Sequence, residues 1–136
     1  MRTTLTVLLL LASTALAVPE AYPSKILRVI DGDTLEVETE VWPGFTVKTR
    51  VRLAGVNTPE KTATAPCERA AAAKASAFTQ AFVAKPKATI TLILAGRDKY
   101  GRELGYLKVD GQDLGAALIG AGHARPYKGE RRGAWC

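Results

Sequence analysis

The protein has 136 residues, a length that suits a single domain. Hydrophobic residues make up 47% of the chain and charged residues 24%, which favours a folded core and excludes a disordered or collagen-like chain. One His and two Cys exclude a zinc site built from three or four nitrogen and sulfur ligands of this chain alone. The formal charge of +6 favours a polyanionic partner such as nucleic acid, although solubility alone also explains it.

The first 17 residues have the pattern of a secretory signal peptide. Arg2 precedes an apolar run over residues 5–11, and Ala15-Leu16-Ala17 forms an A-x-A cleavage site. The run is shorter than the roughly 20 residues needed to cross a bilayer. We therefore expect residues 18–136 to form an exported domain, periplasmic or secreted, with no stable membrane association after cleavage. A segment that stays uncleaved as an anchor is the alternative.

Export also bears on the two cysteines, Cys67 and Cys136, because an oxidising compartment permits a disulfide between them. Such a bridge would close a loop of about 70 residues and contribute a few kcal/mol in the chain-entropy model. Two free or intermolecularly paired thiols are the alternative. Nothing in the sequence indicates oligomerisation, and we expect a monomer.

The first half of the domain predicts three strands in a meander. Residues 25–30 are apolar and β-branched, Asp31-Gly32-Asp33 turns the chain, and residues 34–39 alternate apolar with acidic side chains. Asp-Gly between two such runs indicates a hairpin. The third strand, over residues 46–53, places Val47, Thr49, Val51 and Leu53 on one face and Lys48, Arg50 and Arg52 on the other.

The second half predicts a helix, two strands and a second helix. The Ala-rich residues 67–83 carry Ala71, Ala75, Phe78 and Phe82 at helical spacing, which indicates a helix packed by its Phe face. Residues 89–94 and 102–109 predict the fourth and fifth strands, residues 114–121 a short helix, and the basic tail from His123 an irregular segment. This order predicts an α+β fold on a partly open five-stranded β-barrel of the OB type, whose face commonly binds nucleic acid.

Three polar segments carry candidate chemistry, and each alone has an ordinary explanation. Asp31 and Asp33 place two carboxylates in a tight turn, where they could bind Ca²⁺ or Mg²⁺ or be merely solvated. Residues 52–60 carry an Arg, an amide and a Glu after a strand, or form a plain structural loop. Residues 96–103 lack the Lys-Ser/Thr ending of a P-loop and suit a charged hairpin.

In their joint order these segments resemble the staphylococcal nuclease (thermonuclease) family. They read Asp31-Gly32-Asp33-Thr34, then Arg52-Leu53-x-x-Val56-Asn57-Thr58-Pro59-Glu60, then Asp98-Lys99-Tyr100-Gly101-Arg102. The resemblance covers residues 25–127 and includes the order of strands and helices. It implies an OB barrel on which the segments meet at one face, and hydrolysis of DNA and RNA phosphodiesters that leaves 3′-phosphate ends.

The resemblance further implies a role for each matching residue. Arg52 and Arg102 would grip the scissile phosphate and stabilise the phosphorane-like transition state, since the guanidinium fork suits phosphate oxygens. Glu60 would act as general base or position the attacking water. The nucleic-acid contacts would come from Lys99, Tyr100, Arg125 and Tyr127. Tyr127 would stack on a base, unless it packs on the barrel beside a solvated basic end.

The implied metal is Ca²⁺, held by Asp33, the side chain of Asn57 and the backbone carbonyl of Thr58. Asp31 and Glu60 would reach the ion through water, and the ion would act as a Lewis acid on the phosphate. The family has Asp where this chain has Asn57, which removes one negative charge and predicts weaker metal binding.

Three functions follow from these observations. The first is an exported Ca²⁺-dependent nuclease of low sequence specificity. The second is a non-catalytic module of the same fold that binds nucleic acid or protein, with its metal site weakened by Asn57. The third is a phosphate-binding or scaffolding protein of the envelope.

Overall fold

The computed structural model describes residues 20–136 together with the isolated Ser13. The predicted signal peptide, residues 1–17, otherwise lies outside the described residues. Within the described part of the chain, no helix is both long enough and apolar enough to cross a membrane.

Short strands alternate with two helices in this part of the chain. In order, the elements are β1 (Ala21–Asp31), β2 (Thr34–Trp42), β3 (Phe45–Leu53), β4 (Val56–Asn57), α1 (Pro66–Val83), β5 (Ile90–Arg97), β6 (Glu103–Val109), β7 (Gln112–Asp113), α2 (Leu114–Gly120) and β8 (Arg125–Pro126). The predicted elements are all present, and β1 begins earlier than its apolar run because its first residues pair with β5.

Five of these strands close into a barrel. Antiparallel pairing gives the order β3-β2-β1-β5-β6, and β3 then pairs in parallel with β6. This last pairing aligns Val51 with Glu103 and Leu53 with Gly105. The predicted α+β fold on a five-stranded OB-type barrel is confirmed, and the barrel is closed rather than partly open.

The barrel interior is apolar, as the alternating strand patterns predict. Its fully buried side chains are Leu35, Val37, Val51, Leu53, Leu92 and Leu107, joined by Leu114 and Leu118 of α2. The backbones approach closely at Gly105, where a Cβ would lie 2.7 Å from Leu92 Cδ1 and 3.0 Å from the carbonyl oxygen of Ile93. A side chain at this position would therefore interfere with the closure of the barrel.

The two ends of β3 differ in burial, so the predicted division of its faces holds only in part. Val51 and Leu53 are buried, whereas Val47 is 48% exposed. The cause is topology, because only residues 51–53 of this strand also pair with β6. Arg52 was expected on the opposite, polar face, and yet it is buried.

Helix α1 packs on β1 through small side chains. Its buried residues are Ala72, Ala75 and Thr79, with Phe78 and Phe82 partly buried beside them. Thr79 Oγ1 donates a hydrogen bond of 2.7 Å to the carbonyl of Gly32. A Cβ at Gly32 would lie 2.9 Å from Ala75 Cβ, so the helix presses closely on the turn between β1 and β2.

The C-terminal segment is more regular than predicted. Residues Arg125–Pro126 form β8 and pair with β4. The Arg125 guanidinium then lies over the ring of Trp135, with its Cζ 3.9 Å from the ring centroid. The predicted disulfide joins Cys67 to Cys136, with their Cα atoms 6.4 Å apart. Residues 125–136 are thus held against β4 at one end and against α1 at the other.

Removal of the disulfide should lower the free energy of unfolding. The double variant Cys67→Ser/Cys136→Ser frees a loop of 69 residues in the unfolded state, and the chain-entropy model assigns such a loop about 4 kcal/mol. Urea denaturation followed by circular dichroism measures the loss. Reduced wild-type protein should match the variant, and a variant as stable as oxidised wild type would contradict the prediction.

Candidate functional site

The turn between β1 and β2 holds the buried carboxylate of Asp33, which is 6% exposed. Its Oδ1 accepts a hydrogen bond from Thr34 Oγ1 at 3.1 Å, and its Oδ2 accepts one from the backbone N–H of Thr58 at 3.1 Å. Asp31 Oδ1 accepts from the backbone N–H of Asp33 at 3.2 Å. These bonds tie the turn to the loop that follows β4.

The two carboxylates of this turn repel one another. Burial, and next the charge of Asp33, raise the pKa of Asp31 to about 6. A pair of acids placed in this way is stabilised by a proton or by a cation. The negative charge of this turn therefore favours the binding of a cation.

Arg52, at the end of β3, lies next to Asp33. Its Nη1 donates to the backbone carbonyls of Leu53 at 2.9 Å and Val56 at 3.0 Å, which orients the guanidinium. Its Nη2 lies 3.2 Å from Asp33 Oδ2 in an ion pair. Even so, Nη2 makes no hydrogen bond of suitable geometry within the described residues.

Asn57, in β4, contributes the second unsatisfied group. Among the described residues, Arg52 Nη2 and Asn57 Oδ1 are the buried side-chain polar atoms that lack a hydrogen-bond partner. Such atoms are rare in folded proteins, because each costs about 1–3 kcal/mol when left unpaired. One is a donor suited to an anion, and the other is an acceptor suited to a cation.

Arg102 is oriented by the turn between β5 and β6. Its Nε donates to Asp98 Oδ2 at 2.6 Å, while Asp98 Oδ1 accepts the backbone N–H groups of Tyr100 and Arg102, each at 2.9 Å. Burial acts to raise the pKa of Asp98, but these hydrogen bonds lower it overall. Because Asp98 binds Nε and the backbone N–H, the two terminal amino groups of Arg102 have no hydrogen bond to the described part of the chain and are left for another partner.

A cleft of about 640 Å³ lies between the β5–β6 turn, the end of β3 and the C-terminal segment. Its basic and aromatic lining comes from Arg52, Lys99, Tyr100, Arg102, Tyr127, Lys128 and Arg132. Lys99 Nζ and Arg102 Cζ lie 5.2 and 5.6 Å from the centroid of the Tyr100 ring. Cations next to aromatic faces suit a ligand that carries both phosphates and bases.

Glu60 is positioned from two sides. Its backbone N–H donates to Glu68 Oε1 at 3.1 Å, in the first turn of α1. Its carboxylate forms an ion pair with Arg132 of the C-terminal segment. Glu60 therefore adjoins the cleft through Arg132, which is one of the residues that line it.

Apart from Glu60, the site residues predicted from sequence fall into three groups in the structure. Arg52, Lys99, Tyr100, Arg102 and Tyr127 line the cleft together. Asp33 and Thr58 are joined by a hydrogen bond, with Asp31 two residues before Asp33 and Asn57 next to Thr58 in the chain. Arg125 does not line the cleft, and its Nη1 donates to the carbonyl of Ala134 at 2.9 Å.

Two contributors to the site were not singled out from the sequence. Arg132 belongs to the tail that was expected to be irregular, and Glu68 to the first turn of α1. A signal for Arg132 existed, because it precedes Cys136 by four residues and the predicted disulfide restricts where it can reach. Nothing in the sequence around Glu68 distinguishes it from an ordinary acidic residue at a helix N-terminus.

The oxygen donors near the turn fit a hard cation. Within the described residues, no group of three or more His, Cys, Asp and Glu side chains lies together. The candidate donors are instead the carboxylates of Asp31 and Asp33, the unpaired Oδ1 of Asn57 and the carbonyl of Thr58. All are oxygen ligands of the kind that Ca²⁺ takes, with only two formal negative charges.

The raised pKa of Asp31 predicts how stability depends on pH in the metal-free protein. The folded state binds a proton more tightly than the unfolded chain, whose carboxyl has a pKa of 3.8. Stability should therefore fall as the pH rises from about 4 to 6 and stay low above that window. We expect a loss of about 1 kcal/mol, less than the full linkage value because the carboxyl is partly exposed.

Urea denaturation in EDTA at pH 4.5 and pH 7 measures this loss. Asp31→Asn should reduce it and stabilise the protein at pH 7, whereas Glu40→Gln, which removes an exposed carboxylate of β2, should leave it intact. An Asp31→Asn variant with the wild-type pH dependence would show that another group is responsible.

Comparison with known families supports the resemblance noted in the sequence. Residues 50–134 match the family of staphylococcal nuclease homologues. This span contains the segments of Arg52, Glu60 and Arg102, and the turn of Asp31 and Asp33 precedes it and is joined to it by the hydrogen bond to Thr58. A match to this family supports a module that cleaves or binds nucleic acid. The chain belongs to the staphylococcal nuclease homologue family.

Proposed function

We propose that the protein is an exported, Ca²⁺-dependent nuclease that hydrolyses phosphodiester bonds of DNA or RNA with little sequence preference. One observation carries the proposal. Within the described residues, two buried polar atoms lack a hydrogen-bond partner: Arg52 Nη2, which has the ion pair with Asp33, and Asn57 Oδ1. A phosphate ester with a bound cation satisfies both atoms at once.

The two arginines of the cleft hold the phosphate in different ways. Arg52 is rigid, since it is buried and its Nη1 is bound by two backbone carbonyls, so Nη2 is preorganised for a phosphate oxygen. Arg102 is more exposed and is held at Nε by Asp98, which aims its amino groups without neutralising them by direct contact. Together they stabilise the negative charge that builds on the phosphate oxygens in the transition state.

Glu60 supplies the base. Its carboxylate takes a proton from a water molecule whose oxygen attacks phosphorus. The bond between phosphorus and the 5′ oxygen of the next nucleotide breaks, and that oxygen leaves with a proton from solvent as a 5′-hydroxyl. The other product keeps a 3′-phosphate. Glu60 must be free of its ion pair with Arg132 to act in this step.

The cation is assigned to the oxygen atoms of Asp31, Asp33, Asn57 and Thr58. When bound, Ca²⁺ supplies Lewis-acid polarisation of the phosphate. Asp33 keeps unused lone pairs for it, because each of its two oxygens accepts one hydrogen bond from residues 20–136, from Thr34 or from Thr58, besides the ion pair with Arg52. Binding of the cation also relieves the repulsion between Asp31 and Asp33.

Export and a monomeric state belong to the same proposal. The pattern of residues 1–17 and the disulfide between Cys67 and Cys136 both suit an oxidising compartment. Calcium is abundant outside the cytoplasm, which favours a site with few formal charges and modest affinity.

Two observations favour a second candidate, a module of the same fold that binds nucleic acid without cleaving it. The carboxylate of Glu60 is engaged by Arg132, and the amide of Asn57 replaces a carboxylate of the family. Both features lower the negative charge of the site while its basic cleft remains.

Substitution of Glu60 separates the two candidates. Glu60→Gln should lower kcat for plasmid DNA and RNA by about 10²–10⁴, because it removes the base, while binding of DNA persists. Digestion is followed with Ca²⁺ and with EDTA, and Glu40→Gln serves as the matched control. Wild-type protein that retains DNA in a salt-sensitive manner but cuts neither substrate would establish the second candidate.

Restoring a carboxylate at position 57 tests the metal assignment. Asn57→Asp adds a third negative charge to the oxygen donors, so its affinity for Ca²⁺ should rise about tenfold. Isothermal titration calorimetry measures the change without reference to activity. An unchanged affinity would remove Asn57 from the metal's ligands.

A further inference from the structure

The C-terminal segment 128–136, here called the tail, places a basic residue on the proposed catalytic base. Arg132 forms an ion pair with the Glu60 carboxylate. The pair is partly exposed, with 39% and 41% of the two side chains accessible to solvent. An exposed pair of this kind is weak, so another anion can displace the Glu60 carboxylate from Arg132.

The tail is held where this contact forms. Cys136 is joined to Cys67, and the neighbouring Glu68 accepts the backbone N–H of Glu60. The first turn of α1 therefore anchors both the end of the tail and the loop that carries Glu60. Because only three residues separate Arg132 from Cys136, the guanidinium stays near Glu60 even when their ion pair opens.

Arg132 also faces the cleft. Its Cζ lies 5.8 Å from the centroid of the Tyr127 ring, and the Cζ of Arg52 lies 5.9 Å from the same centroid. Arg132 and the arginine assigned to the scissile phosphate therefore contact the same ring. Two guanidinium groups on one ring are close enough together to contact neighbouring phosphates of one nucleic-acid chain.

We propose that Arg132 binds a second phosphate of the substrate and so makes release of Glu60 depend on a polynucleotide. The inference rests on the proposed function. Without substrate, Arg132 occupies the carboxylate of Glu60. An isolated phosphodiester offers no second phosphate and leaves that pair closed. A polynucleotide draws the guanidinium to its neighbouring phosphate and leaves Glu60 free to accept the proton of water.

The test compares Arg132→Gln with Arg131→Gln, an exposed arginine one residue earlier in the tail. Both variants lose one charge from the same segment and keep the disulfide. The substrates are a single-stranded DNA oligonucleotide and bis(4-nitrophenyl) phosphate, a diester with one phosphate, each with Ca²⁺.

The two substrates should respond in opposite directions. For the oligonucleotide, Arg132→Gln should lower kcat/KM about tenfold, mainly through KM, because a charge-assisted hydrogen bond to phosphate is lost. For bis(4-nitrophenyl) phosphate it should raise kcat/KM about threefold, because Glu60 is no longer paired. Arg131→Gln should keep the wild-type ratio of the two. A merely structural role of Arg132 would lower both values together, and that result overturns the proposal.

A binding measurement decides the matter if the wild-type protein cleaves neither substrate, a result that would sink the proposed function alone. In EDTA, fluorescence anisotropy of the oligonucleotide is measured across a range of salt. Loss of one phosphate contact reduces the slope of log K against log[salt] by about 0.7 for single strands. Arg132→Gln should show this reduction and Arg131→Gln should not. Equal slopes for Arg132→Gln and wild type overturn the assignment of a second phosphate.

Discussion

The carboxylate of Asp33 is the point where three separate segments of the chain meet. It joins the β1–β2 turn to the end of β3 through Arg52 and to the loop after β4 through the N–H of Thr58. A buried ion pair does not by itself stabilise a fold, because desolvation of both charges offsets their attraction. The hydrogen bonds around the Asp33–Arg52 pair reduce its desolvation cost, since they satisfy most of the remaining polar atoms of the two side chains.

Two buried polar atoms near this ion pair, Arg52 Nη2 and Asn57 Oδ1, have no hydrogen-bond partner among the described residues, and this indicates a binding site. A chain selected for stability alone would not bury a guanidinium nitrogen and an amide oxygen that lack hydrogen bonds near two repelling acids. The two atoms lie near the β1–β2 turn, whereas the opposite ends of β2 and β3 carry the exposed Trp42 and Phe45. The distribution is that of a preorganised binding site supported by an ordinary apolar core.

The sequence predicts the features that depend on local patterns. The alternation of apolar and acidic side chains in residues 34–39 predicts a strand, and the spacing of Ala75, Phe78 and Phe82 predicts a helix. Both predictions succeed because the pleat of a strand and the repeat of a helix extend over only a few residues. The burial of Arg52 follows instead from β4 and from the β1–β2 turn, which supply its contacts with Val56 and Asp33. Alternation assigns this residue correctly to the face opposite Leu53 but cannot tell that β4 and the turn cover that face.

Residues 125–136 show the same limit. Their composition distinguishes neither Arg125 from Arg132 nor either of them from a solvated charge. The difference arises from the β4–β8 pairing, which directs Arg125 to Trp135, and from the disulfide, which brings Arg132 to Glu60. Both are contacts between positions far apart in the chain, which motifs of a few residues do not encode.

The closing pair of strands has a consequence for the nascent chain. While β1, β2 and β3 can form their meander as soon as they emerge, β3 cannot find its parallel partner until residue 105 has been made. At typical rates of synthesis this delay lasts roughly 3–10 s. During it the outer edge of β3 has no neighbour. Residues 45–50 of that edge do not pair with β6 in the finished barrel either, and their exposed Lys48 and Arg50 are the kind of charges that discourage a stray strand from adding there. The same two side chains thus guard both the unfinished and the finished barrel against aggregation.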